Sequence, residues 1–236
     1  MKIVSAYKPM EPYMAFHIEL ARCGFDWVDA LRMLRRSALT RAGVEVFAIT
    51  DSELPVPHYR YLTREPLLML WVLEVSLAYI ESDDFDQDTV FLSPDSLVLR
   101  PLDLFGGFDI AVTARDPEIS NPLLNGLQWW SVAAKPKLAR LYRAALQIAR
   151  GLSEEEKAWG ADTVPLVQLL GPFAPGLHRR GELDLRVFPV GTLSTIEAIS
   201  MQHIREGKPK SLNSVVVDFK FWNKGHMVEF YQREFG

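Results

Sequence analysis

Two short apolar runs flanking one long amphipathic helix set the first limit on what this chain can fold into. Ile3 to Tyr7 opens the chain, and Asp26 starts a helical pattern that Gly43 closes. Val44 to Thr50 is apolar again. Trp27, Ala30, Leu31, Leu34 and Ala38 recur at helical spacing, with Arg32, Arg35 and Arg36 largely on the opposite, solvated face. Asp26 has the chemistry of an N-cap, and Gly43 that of a residue just past a helix end. Strand, helix, strand in this order is a βαβ unit, whose two strands must run parallel because a crossover separates them.

The alternation continues. A second, largely apolar helix follows with Pro66 in its first turn, and the acidic stretch Glu81 to Asp88 turns at the surface. Thr89-Val90-Phe91-Leu92 is a buried strand, Leu97-Val98-Leu99 and Pro101-Leu102 lead to a Gly106-Gly107 turn, and further strands are predicted over Asp109 to Thr113 and Gln128 to Ala133. Pro136 to Arg150 is an amphipathic helix, Ser153 and Glu156 have capping-box spacing, and Val164 to Leu170 is a short helix. Late strands are predicted over Leu185 to Val190 and Ser214 to Phe219. The fold class is therefore α/β, a mixed and mostly parallel sheet flanked by helices. No linker or internal repeat divides residues 1–236, which read as one domain with an irregular C-terminal part.

Composition enters as a set of exclusions. A chain of 236 residues with 48% hydrophobic and 24% charged residues is ordinary globular material. With 26 basic against 30 acidic residues, net −4, it lacks the basic field of a general nucleic-acid or membrane-surface binder. The apolar region from Pro66 to Ile80 is broken by Glu74 and Ser76, short of the roughly 20 apolar residues of a membrane span. One cysteine, Cys23, forms no intrachain disulfide and no multi-cysteine zinc site, and with no export signal the expected compartment is the cytoplasm. His17, His58, His178, His203 and His226 show no metal-ligand spacing. Neither a P-loop, a Gly-x-Gly-x-x-Gly turn nor a Gly-x-Ser-x-Gly elbow occurs.

In open α/β sheets, ligands bind beyond the carboxyl ends of the strands. Tyr7, Asp51, Asp95 and Asp218 each follow an apolar run directly, and taken singly each suits a turn. Four together would converge on one edge. Trp129-Trp130 suits a sugar-stacking platform or, more simply, the core. His178-Arg179-Arg180 and Lys208-Pro209-Lys210 are small basic clusters expected in loops, too short to indicate a nucleic-acid acceptor.

The run from Thr89 through Ser93-Pro94-Asp95-Ser96 to Arg100-Pro101-Leu102 resembles the central segment of GT-A-fold, nucleotide-sugar-dependent glycosyltransferases, where an apolar strand meets an Asp-x-Asp motif. The surrounding order is similar too: a Tyr after the first strand, an Asp after the second, and Asn125-Gly126 before a later strand. Trp159-Gly160-Ala161-Asp162 and the closing segment from Asp218 to Lys224 complete the likeness. The resemblance implies a GT-A-like domain, with residues 1–115 holding the donor and 116–236 the acceptor. It implies that Tyr7, Asp51, Ser93, Asp95, Lys220 and Lys224 bind a nucleotide-diphosphosugar, with a UDP-sugar favoured, and that Asn125 and Trp159 lie on the acceptor side.

The chemistry of that constellation is plain. A departing diphosphate gains negative charge, which a hard divalent cation held by carboxylates, or nearby lysines, can stabilise. The resemblance makes Asp95 and Asp218 the metal ligands, for Mn²⁺ or Mg²⁺. Two departures bear on this: Ser93 stands where the family has its first Asp, and Asp218 where it has its closing His. Asp162 is the candidate base for the acceptor hydroxyl, against the simpler reading that it caps the following helix. Two rivals stay open: a nucleotidyltransferase on a related fold, and a nucleotide-sugar-binding module without activity.

Overall fold

In the computed structural model, which describes residues 1–9, 25–102, 106–114, 122–189, 214–219 and 224–236, the first crossover forms around its caps. β1 (Lys2–Ala6) leads to α1 (Trp27–Ala42) and then β2 (Val46–Thr50), and the two strands pair in parallel. The Asp26 carboxylate accepts from the Val28 and Asp29 N–H groups at 2.8 and 2.9 Å. Gly43 takes the left-handed conformation, φ 64°, that ends a helix without a Cβ penalty. β2 starts two residues later than the apolar run, because the Val44 N–H is still turned back to the Ala38 carbonyl. Ala30, Leu31, Leu34 and Ala38 are buried, each large one contributing about 1.5–3 kcal/mol of transfer free energy.

β3 (His58–Arg60) adds a short parallel edge strand that sequence reading missed. α2 (Leu68–Glu81) starts after Pro66 rather than around it, since the Glu65 side chain takes the Leu67 N–H and keeps the entry extended. β4 (Thr89–Leu92) returns to pair with β1, and β5 (Ser96–Val98) leaves the main sheet. β6 (Ile110–Ala114) and β7 (Leu123–Trp130) follow. β7 begins earlier and ends sooner than predicted. Past Trp130 the Ser131 N–H donates to Asp109 O and the Val132 N–H to Asp88 Oδ1, steering the chain into a 3₁₀ turn, Val132–Ala134. Asn125-Gly126 lies inside β7, where the β6–β7 register shifts, and not ahead of the strand.

α3 (Lys135–Arg150), α4 (Glu154–Gly160) and α5 (Val164–Leu170) come next, α4 opening on the expected Ser153–Glu156 capping box. β8 (Gly176–Arg180) and β9 (Leu183–Pro189) form a hairpin, and β10 (Val216–Asp218) and α6 (Gly225–Phe235) close the chain. The expected basic loop at His178 to Arg180 is therefore an edge strand. Arg179 pairs with Asp184, and Arg180 donates to the carbonyls of Leu170 and Pro172.

The main sheet has the order β3-β2-β1-β4-β7-β6-β9-β8, with only β7 and β8 running against the rest. Its strands alternate between two buried faces, which is why they read as unbroken apolar runs. Val4, Phe91, Val112 and Trp130 face the core beneath α2, α3 and α5, while Ile3, Val90, Ala111 and Trp129 face that beneath α1. The tryptophan pair is thus divided between two cores, both rings buried, and forms no exposed platform. Among the described residues, no helix is long and apolar enough to cross a membrane.

Candidate functional site

The strand order creates the site. From β1 the chain goes first to β2 on one side and later to β4 on the other, so the order reverses between β1 and β4, and in open α/β sheets ligands bind outside the carboxyl ends of the strands at such a point. Tyr7 follows β1, Asp51 follows β2 and Ser93 follows β4.

Past β4, the Ser93 N–H donates to Gly126 O at 2.9 Å, and the Ser96 N–H closes a tight turn onto Ser93 O at 3.1 Å. The turn directs β5 away from the main sheet and against β10, with Ser96 opposite Asp218. One rung further, the Phe219 N–H donates to Asp95 O at 2.9 Å. The buried Ser37 hydroxyl of α1 accepts from the Val98 N–H at 3.0 Å and fixes this ribbon to the helix. Residues far apart in sequence, Asp95 and Asp218, thereby come to neighbouring positions.

Lys224, immediately before α6, reaches into this corner. Its Nζ donates to Asp95 Oδ2 and, at 3.2 Å, to Phe219 O, and lies 4.9 Å from the centre of the Trp27 ring. Relative exposure is 2% for Asp95, 3% for Asp218 and 7% for Lys224, so this is a buried ion pair and not a surface one. Burial pulls the Lys224 ammonium down from the usual lysine range to about 7. Phe25, Leu97, Val217, Phe219, Met227 and Phe230 form the apolar floor.

A second cluster follows the ends of β1 and β2. The Tyr7 N–H continues the β1 ladder to Ile49 O at 3.0 Å. Burial, and then the negative charge of Asp26 at the start of α1, raise the Tyr7 hydroxyl pKa. Lys8 Nζ is 3.9 Å from Asp51 Oδ2 and 5.6 Å from the Trp71 ring centre, and it also donates to Glu65 O. Sequence reading gave Lys8 no place in the leading site; its position directly after Tyr7 at a strand end was the available signal.

Asp162 stands just before α5. It does not occupy the N-cap of α5, which is Thr163, and the Thr163 hydroxyl donates to Asp162 Oδ1 at 3.1 Å. Its neighbours Ala161 and Leu166 belong to the α2–α3 core, whereas the Asp95–Lys224 corner lies on the α1–α6 side. Buried Tyr142 feels the Asp162 charge; burial first, and then that charge, push the phenol up against the bond it donates to Gln128 Oε1. The backbones of Asn125 and Trp159 are in β7 and α4. Their side chains are outside what the structure describes, as are Lys220, Lys208 to Lys210, Cys23, His17 and His203.

The donor set does not suit a divalent cation as it stands. Such an ion takes six or more oxygen ligands in typical sites. Here Asp95 is already bonded to an ammonium, and among the described residues no three His, Cys, Asp or Glu side chains gather into a ligand group.

No protein-family model matches the chain, and no curated protein matches it in sequence. Solved structures do match in fold. A glycosyltransferase involved in glycosylating the major capsid of PBCV-1 superposes with a TM-score of 0.60 at 13% identity, covering 98% of both chains. The galactosyltransferase LgtC, solved with donor and acceptor sugar analogues, gives 0.58 at 9% identity over 99% of this chain and 96% of its own. GlyE of Streptococcus pneumoniae TIGR4 gives 0.57 at 9% identity, this chain spanning 59% of its length. The fold is that of GT-A glycosyltransferases.

Proposed function

We propose that this protein is a glycosyltransferase that takes its sugar from a nucleotide-diphosphosugar, with a UDP-sugar as the first donor to test. One observation supports the reading: beyond the carboxyl ends of the strands, where their order reverses, come Tyr7 after β1, Asp51 after β2, and the buried Asp95–Lys224 ion pair after β4. An aromatic side chain and a carboxylate suit a base and a ribose. A fixed cation suits a diphosphate.

In the proposed reaction an acceptor hydroxyl oxygen bonds to the anomeric carbon. The bond from that carbon to the β-phosphate oxygen breaks, and its electron pair stays on the nucleoside diphosphate. The hydroxyl proton passes to a base, and Asp162 is the candidate if the configuration inverts. Lys220 keeps its role as a second diphosphate ligand, Ser93 contributes from the end of β4, and Asn125 and Trp159 serve the acceptor in residues 116–236. The Mn²⁺ or Mg²⁺ implied by the resemblance would have to displace Lys224 from Asp95, so no step is routed through it.

The test is a panel of UDP-, GDP- and ADP-sugars with the released nucleoside diphosphate measured in a coupled assay, each run with EDTA and with Mn²⁺. Release from at least one donor supports the reading. Absence of both release and thermal shift with every donor in both media overturns it. Pyrophosphate release from a nucleoside triphosphate and a sugar phosphate would assign nucleotidyl transfer instead.

A further inference from the structure

We propose that the Lys224 ammonium stands at Asp95 in the place of a divalent cation, so that the protein meets the donor diphosphate with a positive charge of its own. The ligand in this inference rests on the reading above; the occupancy of Asp95 rests on geometry alone.

Three observations lead here. First, the ammonium is bonded to Asp95 Oδ2, the oxygen-bearing group that the Asp-x-Asp resemblance assigns to metal. Second, it is held there from several directions. Phe219 O, itself on the residue whose N–H binds Asp95 O, accepts at 3.2 Å, and the Trp27 ring face closes the opposite side. Third, the corner has little room for two cations. A divalent ion on Asp95 would sit against the ammonium in a setting where Asp95 and Lys224 are 2% and 7% exposed, and like charges there repel with little solvent screening. The replacement of the expected first Asp by Ser93 belongs to the same pattern, because it removes a carboxylate that a metal would need and an ammonium does not.

The chemistry balances without a metal. As the anomeric C–O bond breaks, the electron pair moves onto the β-phosphate oxygen, and the ammonium stabilises that charge as a preorganised donor. A lysine carries three N–H donors, so it can bond a phosphate oxygen while retaining Asp95 or Phe219 O.

The experiment uses the full chain, stripped with EDTA. Mn²⁺ is titrated alone and free ion is read by electron paramagnetic resonance; the wild type should leave the ion free into the millimolar range. Lys224→Met should gain a saturable site, lost again in Asp95→Asn/Lys224→Met. UDP binding is then measured by calorimetry in EDTA and in Mn²⁺. Wild-type affinity should be nearly the same in both media, and Lys224→Met should weaken it in EDTA by about 10- to 100-fold, the worth of a hydrogen bond to a charged group. Lys224→Arg should retain most of it.

Tight Mn²⁺ binding by the wild type that Asp95→Asn abolishes overturns the proposal, as does UDP binding that requires Mn²⁺. If UDP, GDP and ADP fail to bind in either medium, the donor reading falls and the diphosphate role with it, while the manganese titration still decides what occupies Asp95. Should Lys224→Met not fold, the double variant, which buries no unpaired charge, carries the UDP measurement. Undiminished UDP binding by it in EDTA would be equally fatal.

Discussion

Asp95→Asn removes one charge from a buried pair and changes almost no volume, so its cost can be worked from the surroundings. Deleting one partner of a buried ion pair typically costs about 3–5 kcal/mol, because the other charge is left uncompensated. Two features hold the value to the lower part of that range. The ammonium keeps Phe219 O and the Trp27 ring, and it can also discard its proton. An unfolded lysine titrates near ~10.4, so neutralising a buried one at pH 7.5 costs about 4 kcal/mol at ~1.36 kcal/mol per unit, which is a ceiling. The expected loss is therefore about 3–4 kcal/mol at neutral pH, or roughly 6–16 °C in Tm for a chain of this size. Burial draws the wild-type Lys224 down to about 7, so between there and the unfolded value the unfolded state binds the extra proton and wild-type stability rises with pH. Asp95→Asn/Lys224→Met, with no charge to strand, should recover most of the loss. Urea denaturation with matched slopes measures all three. A single-variant loss below about 1 kcal/mol, or a double variant no better than the single, would refute the reasoning.

Gln128→Leu should cost about 2–4 kcal/mol in the same assay, since the Tyr142 hydroxyl at 2.7 Å and the Trp130 indole N–H at 3.0 Å both lose their buried acceptor. Tyr142→Phe, which removes only a donor, should cost about 1 kcal/mol; equal losses would contradict the network. Asp109 supplies the acid-side prediction. Burial pushes its carboxyl up, but Lys137 Nζ at 2.7 Å and the Asp184 N–H at 2.9 Å outweigh that and hold it below the usual range. Its contribution is present above the unfolded value near ~3.9 and is lost as pH falls through the lower folded one. The stability gap between wild type and Asp109→Asn should therefore be open at pH 7 and close in strong acid; a gap constant with pH would count against this assignment.

What could be read from the sequence was set by how local its cause was. The βαβ start was legible because Asp26 and Gly43 act on the ends of one helix, and β4 because burial on both faces leaves only Thr89 polar in Thr89 to Leu92. Edge strands were not. β3 reads His-Tyr-Arg and β8 reads Gly-Leu-His-Arg-Arg, and since one side of each faces solvent, neither shows an apolar run. The role of Gln128 was hidden inside an apolar stretch, because its partners Trp130 and Tyr142 select it only through packing of β7 on α3. The site was legible by residue type and not by pairing. Asp95, Asp218 and Lys224 could be named, but no periodicity encodes a bond across 129 residues.

The two buried lysines of the described chain show why Lys224 is more than a fastener. Lys2 and Lys224 are 3% and 7% exposed, yet their environments act on the proton in opposite directions. Lys2 loses solvation too, but it donates to Asp86 at 2.8 Å, to the Tyr59 hydroxyl at 3.1 Å and to Asp84 O, and these hold its pKa above the ordinary value. Three oxygens answer three N–H donors, and the result is a closed clasp at the amino-terminal edge of the sheet. Lys224 has two oxygens and a ring face, and its pKa is drawn down. A lysine so placed gains more from an additional anion than one whose donors are all answered. The less satisfied of the two stands at the carboxyl ends of the strands, where the strand order reverses and a diphosphate would arrive.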